Sequence, residues 1–159
     1  MFIARRMMIL AAEDIGLANP NALLIAQSTA YIVHQIGMPE ARIPLSECAI
    51  YLATSPKSNS AYLAIDAAIA KVHESGDLPV PLHLRNAPTK LMKELGYGKL
   101  YRYAHDEPEA YAAGETYLPE GISEPGWYQP TPRGLEGKIA EKLAYLRKLD
   151  AEAKGKASK

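Results

Sequence analysis

The residues best suited to contacting a ligand lie in one basic and aromatic segment, residues 83–105. Cationic side chains are interleaved there with tyrosines and histidines, and a further cation precedes the segment in the Ser/Asn-rich turn 54–60. Cations contact phosphates and aromatic rings stack on bases, so this composition suits a nucleic-acid strand. The candidate contact residues are Lys57, Arg85, Lys90, Lys93, Lys99 and Arg102.

A structural role explains the same segment, and the flanking charges favour it. Residues 79–105 carry five Lys/Arg and one Asp/Glu, whereas residues 106–126 carry six Asp/Glu and no Lys/Arg. Arg85 and Arg102 can therefore pair with the acidic block while the tyrosines pack the loop. We expect this structural role over contact with nucleic acid or a protein partner, and weak DNA binding at most. For the turn 54–60 we expect a helix cap.

The sequence holds no motif for catalysis, metal binding or nucleotide binding. Neither G-x-x-x-x-G-K-[ST] nor G-x-G-x-x-G occurs, and Gly96-Tyr97-Gly98-Lys99 has a different spacing. The four histidines and one cysteine form no pair with metal-ligand spacing. Glu13 and Asp14 are helix neighbours that point to different sides, so we expect a helix-end cap or salt bridge there. We expect no catalytic residue, cofactor or metal in this chain.

The composition is that of a globular protein with one domain. The 159 residues have a net charge of zero and are 48% hydrophobic, which disfavours a strongly basic nucleic-acid binder. Arg5, Arg6 and Glu13 interrupt the N-terminal apolar run, so we expect no membrane span. The single cysteine, Cys48, lies in an apolar run and is expected to be buried, which fits a reducing cytosol.

The clearest helix of the first half is predicted at residues 20–36. Asn19 is its predicted N-cap, Pro20 occupies the first turn and Gly37 ends it. Apolar residues on several sides of this helix predict burial on several faces. Its predicted helical stripe comprises Ile25, Thr29, Ile32 and Ile36.

Other helices are predicted before residue 78. The chain enters a helix at its N-terminus, and another helix runs from Leu45 to Ala53. Ser58 is the expected cap of a further helix at 59–75, which Gly76 ends. Helices joined by Pro/Gly turns indicate an all-α bundle, and no strand alternation is present. The apolar stripe of the helix at 59–75 is Tyr62, Ile65, Ile69 and Val72.

The second half is rich in proline and tyrosine and is predicted to be mostly irregular. A short helix is expected at Thr89–Leu95, ended by Gly96, and a turn of helix near Glu109–Ala113. We expect tyrosines to pin the loop 97–132 across the helices as a strap. The last helix is predicted from about Arg133 into the 150s, with a frayed tail after it. Its apolar stripe is Leu135, Ile139, Leu143, Leu146 and Leu149. The predicted parts are a helical core at 1–78, the strap region at 79–132, the C-terminal helix at 133–153 and the tail at 154–159.

Several short motifs occur in order along nearly the whole chain. They are Ala12-Glu13-Asp14-Ile15-Gly16, Tyr51-Leu52-Ala53 with Ser55-Pro56-Lys57-Ser58-Asn59, Pro81-Leu82-His83-Leu84-Arg85-Asn86-Ala87-Pro88-Thr89, Leu95-Gly96-Tyr97-Gly98, Tyr103-Ala104-His105-Asp106-Glu107-Pro108, Tyr117-Leu118-Pro119 and Arg133-Gly134-x-Glu136-x-Lys138-Ile139. Each motif alone is weak, but their ordered combination is specific. Together they resemble the C-terminal region of the MgsA/RarA family, which includes the eukaryotic Werner-helicase-interacting protein.

The resemblance implies a cytoplasmic, nucleoid-associated AAA+ ATPase related to clamp loaders, active at stalled replication forks and in recombination. Its ATP and Mg sites would lie in a motor domain absent from this chain, so no catalytic residue carries over. Expected partners of the parent are DNA forks or ends and single-stranded-DNA-binding protein. Leu100 departs from the small residue the resemblance implies, and because leucine resists a positive φ, we expect that turn to differ.

The resemblance also implies a collar-like, all-α domain that assembles the parent into a tetramer. The helices at 20–36 and 59–75 carry more apolar surface than one core-facing stripe, so we expect some of it to mediate self-association. The alternative for this surface is coverage by the strap within one monomer. The alternative function is binding of DNA or a protein partner through residues 83–105.

Overall fold

The computed structural model describes residues 1–122 and 126–157. Within these ranges the chain is all-helical and has no strand, which confirms the predicted fold class. The six α-helices are α1 (Phe2–Leu10), α2 (Asn21–Ile36), α3 (Arg42–Thr54), α4 (Ser60–Ser75), α5 (Lys90–Glu94) and α6 (Glu136–Ala157). Two compact units are present, the first comprising Met1–Ala70 and Trp127–Lys142, and the second Lys71–Gly126 and Leu143–Lys159.

The core of the first unit is built from α1, α2 and α3, with a π-helical turn after α1. Cys48 is fully buried there, as predicted, and serves as a small apolar side chain. Alanines at the contacts allow the helix axes to approach closely. The buried cluster is Ala11, Ile15, Ala22, Ala26, Cys48 and Leu52.

The start of α2 differs from the prediction, although its end at Gly37, with φ +66°, is confirmed. Pro20 rather than Asn19 occupies the N-cap position, and it provides no side-chain cap. The Asn19 side-chain amide instead donates to the Tyr51 hydroxyl at 3.0 Å and to Ser55 Oγ at 3.1 Å. Asn19 therefore joins the start of α2 to the end of α3.

The predicted stripe of α2 is wrong for two of its four residues. Thr29 is buried and Ile25 packs against the core, but Ile32 and Ile36 are 39% and 48% exposed. Small residues occupy the inward face of α2 because α1 and α3 lie close to it. The buried residues of α2 are Ala22, Ala26, Thr29, Ala30 and Val33.

The boundaries of α3 and α4 follow local turn chemistry. Helix α3 begins at Arg42, three residues before the predicted start, because Pro44 is tolerated in a first turn. The Ser58 hydroxyl accepts from the Ser60 N–H at 3.3 Å, which confirms its role at the start of α4. Gly76, with φ +68°, follows the last residue of α4 as predicted.

In the second unit, α5 ends just before Gly96 as predicted, and Thr89, the predicted first residue of the helix, is its N-cap. The Thr89 side chain accepts from the Met92 N–H, and Gly96 follows with φ +83°. The helical turn expected near 109–113 lies slightly earlier, at Pro108–Ala110, and another short turn occurs at Ala104–Asp106.

One of the loop tyrosines is fixed by the last helix within the second unit. The Tyr111 hydroxyl donates to the Asp150 carboxylate at 2.8 Å. The Gly114 N–H donates to the other oxygen of the same carboxylate at 2.8 Å. By contrast, Tyr101, Tyr103 and Tyr117 are more than half exposed, so these three tyrosines do not pin the loop as expected.

Helix α6 begins later and ends later than predicted. It starts at Glu136 because residues 133–135 form a turn in which the Leu135 N–H donates to the Ala18 carbonyl at 2.9 Å. It continues to Ala157, so the predicted fraying after Asp150 is wrong within the described residues. Alanine and lysine, which dominate this end, have high helix propensity. Leu135 is exposed and precedes the helix, whereas the other four predicted stripe residues are half-buried.

Candidate interaction surfaces

Two of the six candidate cations are engaged within the second unit. The Arg85 Nε donates to the Val80 carbonyl at 2.6 Å, and its guanidinium lies 5.1 Å from the centre of the Tyr97 ring. Arg102 forms a two-pronged ion pair with Glu107, through Nε at 2.9 Å and Nη2 at 2.8 Å. Hydrogen bonds from Arg102 lower the pKa of the Glu107 carboxyl. Arg102 thus pairs with the acidic block as proposed, whereas Arg85 does not.

A third candidate, Lys57, caps a helix. Its Nζ donates to the carbonyl oxygens of Leu52 at 2.5 Å and Ser55 at 2.9 Å. A cation at this position satisfies free carbonyls and complements the negative end of the helix dipole. The Lys57 carbonyl accepts from Arg133 at 2.7 Å. The turn 54–60 therefore has the structural role that its composition predicts.

The remaining three candidates, Lys90, Lys93 and Lys99, are exposed residues of the second unit. Lys90 faces Glu94 along α5 at 3.8 Å, with 92% of its side chain exposed, which makes this a weak surface pair. Of the six cations chosen from sequence, these three are the ones whose side chains remain open to solvent for a partner.

Glu136 is a buried carboxylate that the sequence analysis did not select. It is 0% exposed and accepts from Tyr128 at 2.9 Å, from Thr131 at 2.7 Å and from the Ser60 hydroxyl. Burial acts to raise the pKa of Glu136, but hydrogen bonds from Ser58, Ser60 and Thr131 outweigh it and lower the pKa to about 2. The cluster joins the start of α4, the segment 127–132 and the start of α6 within the first unit.

The sequence gives only an indirect signal for the Glu136 cluster, the hydroxyl groups of Ser58 and Ser60. Glu136 lies in the first turn of a helix, where a carboxylate is ordinary, and nothing in the local pattern marks it as buried. The hydroxyl-rich segment at Ser58 and Ser60 was interpreted only as a cap. Their partner lies 76 residues further along, a pairing that periodicity does not reveal.

The large apolar side chains of α4 lie on its exposed side, in line with the expectation that part of the apolar surface of this helix is not buried within one monomer. Tyr62, Ile65 and Ile69 are 43%, 55% and 48% exposed, and Val72 is 56% exposed. At 100° per residue, Tyr62, Ile65 and Ile69 lie roughly 130° around the helix from the inward-facing residues. The inward residues are small, namely Ser60, Ala64 and Ala68. We call Tyr62, Ile65 and Ile69 the α4 stripe.

A carboxylate lies beside the α4 stripe, and α2 carries a second exposed apolar surface. The neighbouring Asp66 carboxylate raises the pKa of the Tyr62 hydroxyl. Helix α2 also presents large apolar residues outward, with Leu24 and Tyr31 60% and 66% exposed. Surfaces of this kind are typical of protein–protein contacts.

The described residues contain no group of three or more His, Cys, Asp and Glu side chains placed to hold a metal ion. No helix in the described part of the chain is long and apolar enough to cross a membrane.

The fold is thus an all-α module whose most distinctive features are exposed apolar helix faces. Residues 1–147 match the family described as MgsA AAA+ ATPase C terminal, and the chain belongs to this family. The match is consistent with the clamp-loader-like helical domain expected from the sequence.

Curated relatives agree with the family match. Replication-associated recombination protein A of Escherichia coli K12 is 51% identical over 150 residues, 94% of this chain and 34% of that protein. The protein of the same name from Coxiella burnetii is 48% identical, covering 96% of this chain and 35% of its own length. ATPase WRNIP1 of Dictyostelium discoideum is 43% identical over 81% of this chain and 15% of its own length. The chain therefore spans about a third of the bacterial relatives' length.

Proposed function

We propose that this chain is the assembly module of a replication-associated AAA+ ATPase, and that it self-associates as a tetramer, the state that the family resemblance implies. The observation that carries the proposal is the α4 stripe. Helix α4 has 16 residues, of which Ser60 alone is buried. An isolated helix of this length is marginal in water, so most of its stability must come from packing of its apolar face.

Burying the α4 stripe in a contact between copies of the chain would contribute several kcal/mol to association. Fully burying a Leu- or Ile-sized side chain contributes about 1.5–3 kcal/mol. The three residues are roughly half exposed, so covering them contributes about 3 kcal/mol per copy. In an isologous contact the same face is buried on both partners, which doubles the gain. The outward residues of α2 offer a further apolar surface for the additional contacts that a tetramer requires.

The resemblance to the MgsA/RarA family implies the chemistry of the parent protein, which we include in the proposal. We propose that ATP and Mg bind in a motor domain that this chain does not include, and that the chain alone hydrolyses no ATP. Assembly would bring several motors to one DNA fork or end and raise the effective affinity for DNA. Single-stranded-DNA-binding protein is the proposed protein partner, and the nucleoid the proposed location.

A charge placed on the α4 stripe tests the proposal. Ile69→Asp should shift the sedimentation profile from the assembled species toward the monomer, because a carboxylate in an apolar contact is strongly unfavourable. Ala70→Asp is the matched control, since Ala70 is exposed on the same helix and lies roughly 110° around it from the centre of the α4 stripe. Equal effects of the two changes would show that the helix, rather than this face, is responsible.

A further inference from the structure

Two exposed tyrosines lie on an extended segment of the second unit. Tyr101 and Tyr103 are each 54% exposed, while Arg102 between them is half-buried. Residues 101–103 form neither helix nor turn, and Tyr103 has extended φ and ψ of −78° and 113°. Alternate side chains of an extended segment lie on the same side, about 7 Å apart. The two rings therefore share one side of the segment, and Arg102 occupies the other.

Arg102 fixes this segment from the side opposite the two tyrosines. Besides the ion pair with Glu107, its Nη1 donates to the Ala113 carbonyl at 2.8 Å. A guanidinium bound at three points fixes the backbone that carries both tyrosines. Arg102 is thus an anchor for the aromatic side chains rather than a contact for a phosphate.

The turn before the tyrosines is also anchored. The Gly98 N–H donates to the Leu82 carbonyl at 2.9 Å, and the Tyr101 N–H donates to the Gly98 carbonyl at 3.3 Å. Leu100 has φ +66° and is 82% exposed, a conformation that costs free energy for leucine. Strained positions of this kind cluster at binding sites. Lys99, beside it, presents an exposed ammonium group.

We propose that Tyr101 and Tyr103 form a stacking platform for unpaired nucleobases, with Lys99 contacting the phosphate between them. Two exposed rings carried on the same side of an extended backbone can each stack on a base of a strand whose bases are separated. Duplex bases are already stacked on one another and cannot use this platform. His105, whose ring centre lies 5.0 Å from that of Tyr103, supports the second ring. The exposed carboxylate of Asp106 keeps the affinity modest.

The platform is independent of the proposed assembly through α4, although assembly would place several platforms on one strand. The cations of this region are the contact residues that the sequence predicts. In the structure Arg85 and Arg102 are held by contacts within the second unit, so the two exposed tyrosines become the candidate contact residues.

Fluorescence anisotropy with a labelled ten-nucleotide oligothymidylate and a ten-base-pair duplex tests the platform at low salt. The single strand should bind more tightly than the duplex. Tyr101→Ala and Tyr103→Ala should each weaken single-strand binding about five-fold or more, whereas Tyr→Phe at either position should retain it within about two-fold. Lys99→Gln should reduce the salt slope by about 0.7. Tyr117→Ala, which removes an equally exposed tyrosine of the second unit outside the platform, is the control and should change single-strand binding by less than about two-fold.

Three results would overturn the platform: no single-strand binding at millimolar protein, equal affinity for the duplex, or equal losses for the phenylalanine and alanine variants. The first of these would leave the exposed tyrosines to a protein partner. Sedimentation of the same samples separates this proposal from the assembly proposal, because Tyr101→Ala and Tyr103→Ala should leave the mass unchanged.

Discussion

Replacing the buried carboxylate Glu136 with glutamine is expected to destabilise the first unit strongly at neutral pH and hardly at all in acid. The substitution keeps the shape of the side chain but removes its charge and one acceptor oxygen. The Thr131 N–H donates to Oε2 at 3.1 Å, and a hydroxyl can turn away from an introduced amide but an N–H cannot. With the amide oxygen of Glu136→Gln kept toward the Thr131 N–H, the amide NH2 faces the hydroxyls of Tyr128 and Ser60, which lose the acceptor that they share.

The size of the effect follows from the pKa of Glu136. A native pKa of about 2, against an ordinary value of 4.5, means that the ionised carboxylate stabilises the native state. Each pKa unit corresponds to about 1.4 kcal/mol, so the ionised carboxylate contributes about 3 kcal/mol to the free energy of unfolding. Because the native pKa is depressed, this contribution is fully present above pH 4.5. It is lost as the pH falls from 4.5 through 2, where both states are protonated.

Urea unfolding followed by circular dichroism at pH 7, 4 and 2.5 measures this dependence, at one protein concentration because the proposed assembly would also stabilise the native state. The difference between native protein and Glu136→Gln should be about 2–3 kcal/mol at pH 7 and shrink steadily toward pH 2.5. Glu141→Gln is the control, since Glu141 is exposed on the same helix and should stay within about 0.5 kcal/mol. A Glu136→Gln protein as stable as the native one at pH 7, or a loss that does not change with pH, would refute the reasoning.

Two backbone positions give further predictions for urea unfolding. Gly134→Ala should cost about 3 kcal/mol, because φ is +54° and an added Cβ would lie 2.0 Å from the Ala18 carbonyl oxygen. Gly137→Ala, whose Cβ would have 3.7 Å of clearance in α6, should be neutral or stabilising, and similar losses at both glycines would contradict this account. Leu100→Gly should raise stability by about 0.5–1 kcal/mol by relieving a positive φ, and a loss would show that the leucine side chain is needed there.

The fold class was predictable because helix periodicity and stop signals are local. Gly37, Gly76 and Gly96 follow their helices at positive φ as the sequence indicates. The side of each helix that faces inward was not predictable in the same way. In α4 the small residues face inward and the large ones outward. Periodicity marks an apolar face but not which side of the helix the rest of the unit contacts. A hydrophobic stripe identifies a face that needs a partner, but it does not say whether that partner is the same chain.

The candidate contact residues were only partly predictable for a similar reason. Charge and composition located the region that contains Arg102 and the tyrosines, and charge balance predicted the pairing of Arg102 with the acidic block. Sequence could not distinguish cations held by neighbouring carbonyls from those left in solvent, since Lys57 and Lys99 look alike in the chain. The buried position of Glu136 depends on a segment 76 residues away and required the three-dimensional structure.

The solution mass of the unmodified chain tests the central claim most directly. Sedimentation velocity or light scattering between about 1 and 100 µM should show a defined assembly, with about 70 kDa expected for a tetramer of the 17.4 kDa chain. Its population should grow with concentration and stop at that mass, because closed symmetry limits growth. A monomer of 17.4 kDa across the whole range would contradict the account and leave the exposed face of α4 to a different partner.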